Sequence, residues 1–283
     1  MAGRIMTRRS LLAGAMGSAV GLVVVGAGVG AGVLPGRTRL KAEYHDIFGP
    51  HAHIPSAPEG RVRLEQVYSH ARGRTVDLFT AVPHGHGDGA GLPVCLILHG
   101  VTATASDYQG FGLGRFLTAA VERGAPPFVL AGADGGLLYW EPDPASADNP
   151  QKMVTDEMPH WLAARGFDAT RVAAWGWSMG GYGVLRLGEV KPGWLRAVAA
   201  FSPDVTHSER VVTADDVYRT TPLGIWIGRS DPLFADVQAF VAQLPRRPQV
   251  LSYGDGAHTR AYWDSVTLPA FAFLGGALGR AAA

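Results

Sequence analysis

Two kinds of hydrophobic pattern divide the chain. Over residues 61–68 and again over 75–82, apolar and polar positions alternate, the period of a strand with one covered face. Ala71-Arg72-Gly73-Arg74 lies between them as a turn, so the pair predicts an antiparallel hairpin. After the Gly-rich stretch Pro83-His84-Gly85-His86-Gly87-Asp88-Gly89 the pattern changes. Short, wholly apolar runs stand at 94–98, 128–131, 172–177, 197–201, 225–227 and 250–253. Helical stretches separate them at 114–123, 153–165, 180–189, 237–243 and 260–274. Unbroken apolar strands alternating with helices predict a parallel sheet covered on both faces. The expectation is an α/β fold: a mostly parallel central sheet of about eight strands, helices on both faces, and a minimal cap between 201 and 225. No internal repeat is visible.

At the centre of this pattern the strand 172–177 runs into Gly176-Trp177-Ser178-Met179-Gly180-Gly181 and then an apolar helix. A serine on a sharp strand-to-helix turn, flanked by glycines that let the two backbones approach, is the arrangement of a nucleophile elbow. The helix that follows directs its N-terminal N–H groups at the same spot. The pattern alone occurs by chance, and an idle serine in a Gly-rich turn is the bland reading. The strand before it and the helix after it favour the catalytic one.

A serine hydroxyl needs a base, and the base needs a carboxylate to hold its tautomer. In α/β-hydrolase sheets, which this layout resembles, the chain order is Ser, then acid, then His. Only His207 and His258 follow Ser178. His258 sits in Gly254-Asp255-Gly256-Ala257-His258, after the last predicted strand, and is the candidate base; His207, among Thr and Ser, reads as a surface loop residue. Asp231, directly after the strand 225–227, is the candidate acid, with Asp204 in Ser202-Pro203-Asp204 as its rival. An N-cap ahead of Pro232 is the structural alternative for Asp231, and Asp255 is too near His258 in sequence to reach it comfortably. For the oxyanion hole the N–H groups of Met179 and Val101 are the candidates. His99 reads as a structural residue of the loop that carries Val101. Trp140 and Trp177, with Tyr139 and Phe111 behind them, are candidates to line a fairly open cleft, though core packing explains an aromatic equally well. Asp134 and the 143–148 loop either meet a polar part of a substrate or cap and turn the chain.

Length and composition narrow the picture further. With 283 residues, 47% hydrophobic and 17% charged, the chain suits one large domain. The first 34 residues stand apart: Thr7-Arg8-Arg9-Ser10-Leu11-Leu12 is a twin-arginine signature followed by an uncharged Gly/Ala/Val run. The expected division is therefore 1–34 as export signal or membrane anchor, 35–60 as an N-terminal extension, and 61–283 as the folded domain. The run is long enough to span a bilayer, and Val29-Gly30-Ala31 is a passable cleavage site, so anchor and cleaved signal both stay open. Without Arg4, Arg8 and Arg9 the formal charge of +1 becomes −2, and nothing suggests a nucleic-acid partner. A single cysteine permits no intrachain disulfide, and Cys95 lies in an apolar run where an inert buried thiol is expected. His45, His51 and His53 invite a metal-site reading, but a His-x-His in a Pro-rich loop is more often a solvated segment, so no metal or other cofactor is expected.

With these residues in view, the chain resembles the esterase D and antigen 85 branch of the α/β-hydrolases from about residue 61 to 274. The resemblance rests on Gly-Trp-Ser-Met-Gly-Gly at 176–181, on Ala133-Asp134-Gly135-Gly136 followed by Tyr139-Trp140, on Glu157-Met158-Pro159-His160-Trp161-Leu162, and on His258-Thr259-Arg260-Ala261-Tyr262-Trp263. It implies carboxylester hydrolysis of a small-molecule or lipid ester, or acyl transfer of the mycolyltransferase type. Ser178 and His258 match as catalytic residues and Met179 and Val101 as oxyanion donors. Asp231 matches by place, although the antigen 85 proteins use Glu there, which leans toward an esterase. A non-catalytic surface-binding protein on the same fold is the competing class, and the intact Ser/Asp/His order argues against it. Peptidase activity fits less well, because no large cap or propeller is present to restrict peptides.

Overall fold

The computed structural model describes residues 53–207 and 217–280. The expected export signal, most of the N-terminal extension with His45 and His51, and residues 208–216 of the expected cap lie outside the described residues. A hairpin of β1 (Arg61–Ser69) and β2 (Arg74–Val82) leads into β3 (Pro93–Leu98), β4 (Val129–Ala133), β5 (Asp168–Trp177), β6 (Leu195–Phe201), β7 (Leu223–Gly228) and β8 (Val250–Gly254). These form one eight-stranded sheet in the order β1-β2-β4-β3-β5-β6-β7-β8. β1 and β2 pair antiparallel, as do β2 and β4, and every other pairing is parallel. Between the strands lie α1 (Asp107–Gly110), α2 (Leu113–Glu122), α4 (Met179–Val190), α5 (Val217–Thr220) and α6 (Phe234–Gln243), and α7 (Arg260–Leu278) follows β8. The helical segment α3 is made of Pro150–Lys152, a π-helical turn Met153–Glu157, and Met158–Ala163.

The all-apolar strands follow from burial on both sides. In β3, Val94, Leu96 and Leu98 belong to a core shared with Met153, Met158, Leu162 and Val184. Cys95 and Ile97 point the other way, into a core shared with Phe116, Leu117, Phe271 and Leu274. Each strand therefore needs apolar residues at successive positions, and truncating one such Leu to Ala would cost ~2–5 kcal/mol. Cys95 is fully buried, which pushes its thiol pKa well up and leaves it inert.

The helix expected over 153–165 is interrupted for a local reason. Pro159 has no N–H to give to the carbonyl of Thr155, as an α-helix would require. Lys191 Nζ donates to that carbonyl instead, at 2.9 Å. Two further departures are the early start of β5 at Asp168 and the short helix α1, neither of which has a long apolar run to mark it. Among the described residues, no helix is long and apolar enough to cross a membrane.

Candidate active site

The site lies at the carboxyl ends of the parallel strands, where open α/β sheets collect their loops. Ser178 directly follows β5 and caps α4 with φ 56° and ψ −120°, a backbone conformation that costs a non-glycine residue on the order of 1–3 kcal/mol. Close packing holds it there. A Cβ on Gly180 would stand 1.9 Å from the carbonyl oxygen of Leu98, so only glycine lets the start of α4 sit on the end of β3. The Ser178 N–H donates to Phe201 O at 2.9 Å, and its own carbonyl accepts from Tyr182 and Asp204 N–H groups.

His258 arrives from the turn between β8 and α7. Its Nε2 stands 3.0 Å from Ser178 Oγ, and its Nδ1 stands 2.9 Å from Asp231 Oδ2. Asp231, three residues past the end of β7, accepts the Leu233 N–H on its other oxygen at 2.9 Å. The carboxylate is thus fastened to its own loop while it faces the imidazole; the N-cap of α6 is Leu233, so Asp231 closes a turn before the helix and does not cap it. All three residues are buried, with Ser178 at 8% the most exposed. The indole of Trp263 meets the imidazole edge-on, centroids 4.9 Å apart, and donates through Nε1 to Ser202 Oγ at 3.0 Å. Ser202 has φ 42°. This brace behind His258 carries no motif that picks Ser202 out of the sequence; only the distance between β6 and α7 in space reveals it.

Met179 opens α4, so its N–H has no intrahelical acceptor. Val101 lies half-buried on the loop after β3, with the core packed against its side chain. His99 shapes that loop: its Nε2 accepts the Gly135 N–H at 2.9 Å, which leaves Nδ1–H to donate to Gly100 O at 2.8 Å. Burial lowers the His99 pKa, against the raising effect of that hydrogen bond and of nearby Asp134. Asp134 clamps the same loop to the sheet by accepting the N–H groups of Ala105 and Asp77. Within the 143–148 loop, Asp148 pairs with Arg72 and Arg74. These acids turn and tie the chain.

Trp140 and Trp177, both expected to line a cleft, are each 1% exposed and belong to the interior. Trp140 Nε1 donates to His99 O at 3.2 Å, and Trp177 packs between Trp175, Phe111 and Trp263. As placed they support the loops of the site instead of presenting a face to solvent. Asp204, the rival acid, accepts from Tyr139 OH at 2.9 Å and from Thr206 Oγ1 at 2.6 Å. His207 is half-buried and lies flat on the Tyr139 ring at 3.7 Å, a packed position where a solvated one was expected. Among the described residues, no group of three or more His, Cys, Asp or Glu is placed to hold a metal ion.

A sheet of this order, with a serine at the elbow after β5 and a histidine after the last strand, defines an α/β-hydrolase. The family model Esterase, described as "Putative esterase", matches residues 69–272. The chain belongs to that family and is a carboxylic ester hydrolase. Comparison with curated proteins gives no match. Among solved structures, a ferulic acid esterase is similar, with a TM-score of 0.68 at 17% identity, over 77% of this chain and 98% of that one. FphF, a fluorophosphonate-binding serine hydrolase of Staphylococcus aureus, aligns with a TM-score of 0.64 at 16% identity, over 77% and 99%. MPT51 (FbpC1) of Mycobacterium tuberculosis aligns with a TM-score of 0.62 at 15% identity, over 77% and 99%. At these identities the structural likeness speaks for the fold.

Proposed function

We propose that the chain is an exported serine carboxylesterase in which Ser178 is the nucleophile, His258 the general base and acid, and Asp231 the acid that orients it. The observation that carries the reading is the continuous hydrogen-bonded line Ser178 Oγ, His258 Nε2, His258 Nδ1, Asp231 Oδ2 at 3.0 and 2.9 Å. Ser178 Oγ attacks the ester carbonyl carbon while His258 Nε2 takes its proton. The imidazolium that forms is stabilised by the Asp231 carboxylate. The N–H groups of Met179 and Val101 receive the oxyanion, each worth on the order of 10²–10³ in rate. His258 returns the proton to the leaving alcohol, and the acyl group stays on Ser178. Water, deprotonated by His258, then attacks the acyl-enzyme; the acid departs and the proton returns to Ser178. An acceptor hydroxyl in place of that water would make the same site an acyltransferase.

Labelling with a fluorophosphonate probe tests the nucleophile. The parent protein is expected to label at Ser178 and to hydrolyse p-nitrophenyl acetate, and Ser178→Ala to do neither. Residual turnover of Ser178→Ala near the parent rate sinks the assignment. Adding trehalose as acceptor during turnover separates hydrolysis from acyl transfer. Export rests on Thr7-Arg8-Arg9-Ser10-Leu11-Leu12; replacing Arg8 and Arg9 by Lys is expected to retain the protein inside the cell, and unchanged export removes that part of the proposal.

A further inference from the structure

The end of the loop after β3, the short helix α1 and the first turn of α7 wall a cavity of about 440 Å³. It is lined by Ile54, Ser106, Asp107, Phe111, Arg260 and Asp264 among others. Arg260 is the unusual member. It follows His258 by two residues and is 3% exposed, a rare state for arginine. Its guanidinium carbon lies 4.4 Å from the centroid of Phe111 and 5.6 Å from that of Trp177, the residue before Ser178. Nη2 ion-pairs with Asp264 Oδ1 at 2.5 Å. Nε and Nη1 are buried and have no hydrogen-bond partner among the described residues.

Two unsatisfied guanidinium donors out of water are costly, on the order of 1–3 kcal/mol each or more for a charged group. Packing does not require them: a methionine would fill the same space between Phe111 and Trp177 without orphaned N–H groups. Two aromatic rings and Asp264 hold the guanidinium, and Arg260 also lines the cavity. Nε and Nη1 are covered as placed, so an acceptor in the cavity meets them through a small turn of the guanidinium. Charge then selects the acceptor. Asp264 balances Arg260, and Asp107 adds a second carboxylate, held by the N–H and hydroxyl of Thr104 at 2.7 and 3.0 Å. Among the described residues that line the cavity, one cation stands against two carboxylates, which disfavours an anion.

We propose that this cavity is a substrate subsite and Arg260 a specificity-determining residue that reads a neutral oxygen (ether, keto or hydroxyl) in the ester being cleaved. Apolar parts of the same group rest on Ile54 and Phe111. The inference rests on the serine esterase reading above and names the kind of ester it takes.

The test compares isosteric esters that differ by one oxygen. On the alcohol side these are 2-methoxyethyl acetate and n-butyl acetate; on the acyl side, methyl 3-methoxypropanoate and methyl pentanoate. Parent kcat/KM is expected to favour the oxygenated member of at least one pair by ~10- to 100-fold, mainly through KM. Arg260→Met is expected to erase that ratio, whatever it does to overall activity. Asp107→Asn is expected to raise kcat/KM for the anionic monomethyl glutarate relative to methyl pentanoate, and it stands as evidence even if Arg260→Met does not fold. Equal turnover within both pairs, a ratio retained in Arg260→Met, or a parent preference for the anionic ester overturns the subsite while leaving the esterase intact. No turnover of any ester overturns the esterase reading and this one with it.

Discussion

The loops after β6 and β7 invite comparison, because each places a buried aspartate three residues beyond a parallel strand: Asp204 after Phe201 and Asp231 after Gly228. Asp231 turns one oxygen to its own loop and the other to His258. Asp204 gives its backbone N–H to the carbonyl of Ser178 at 3.1 Å, while its carboxylate receives the hydroxyls of Tyr139 and Thr206. One aspartate directs a charge at the imidazole, and the other braces the strained turn that presents the serine. Residue type, strand position and burial are the same in both loops. The role is set by what the neighbouring segment delivers: a histidine to one, a tyrosine hydroxyl to the other.

The comparison breaks or holds on paired substitutions. Asp231→Asn is expected to lower kcat/KM for p-nitrophenyl acetate by ~10⁴-fold, the scale of losing the group that fixes the imidazole tautomer. Asp204→Asn keeps an acceptor oxygen for Tyr139, and its expected loss is at most ~10-fold. Equal losses would erase the distinction, and a larger loss at Asp204 would reverse it. Next in size is Tyr139→Phe, which removes the hydroxyl that fastens Asp204; urea unfolding should show a loss of about 1 kcal/mol.

A smaller effect separates the His99 loop from both. Burial lowers the folded pKa of His99, so below its ordinary value near 6.5 the unfolded chain binds the extra proton and the folded chain resists it. Stability therefore falls as pH drops through that value, and His99→Gln should flatten this part of a Tm-versus-pH curve relative to the parent. The smallest effect is expected far from the site. Asp168 is raised by burial but brought down to about 2 by Thr170 and Arg171. Its contribution is present above pH ~4 and lost toward pH 2. Asp168→Asn should cost no more than about 1 kcal/mol at neutral pH, and nothing once the parent carboxylate is protonated.

Much of this organisation is legible in the residues themselves. Apolar runs identify the inner strands buried on both faces and alternation identifies the exposed edge β1, but β8, read as buried, is a half-buried edge, and β2, read as alternating, is buried at every position over 78–82. Ser178 and His258 are readable because strand, glycine and chain order all constrain them. The choice between Asp231 and Asp204 is only half legible, since both follow strands and the tyrosine that engages Asp204 lies 65 residues away. Trp140 and Trp177 mislead for a related reason: near a site an aromatic reads as cleft lining, while the close approach of Gly135, Gly183 and Gly100 to those rings shows a packed interior. Arg260 is invisible at this level, because a charged residue opening a helix reads as solvated. Its burial comes from Phe111 and Trp177, which the fold brings from two other segments.

The sheet order has a consequence for when this molecule gains its chemistry. The serine follows an interior strand, the aspartate lies in the loop two strands further out, and the histidine follows the outermost strand. A chain still emerging from the ribosome, or one clipped ahead of the loop that follows β8, would hold the hydroxyl without the imidazole. In the proposed mechanism, turnover therefore waits on the final edge of the sheet.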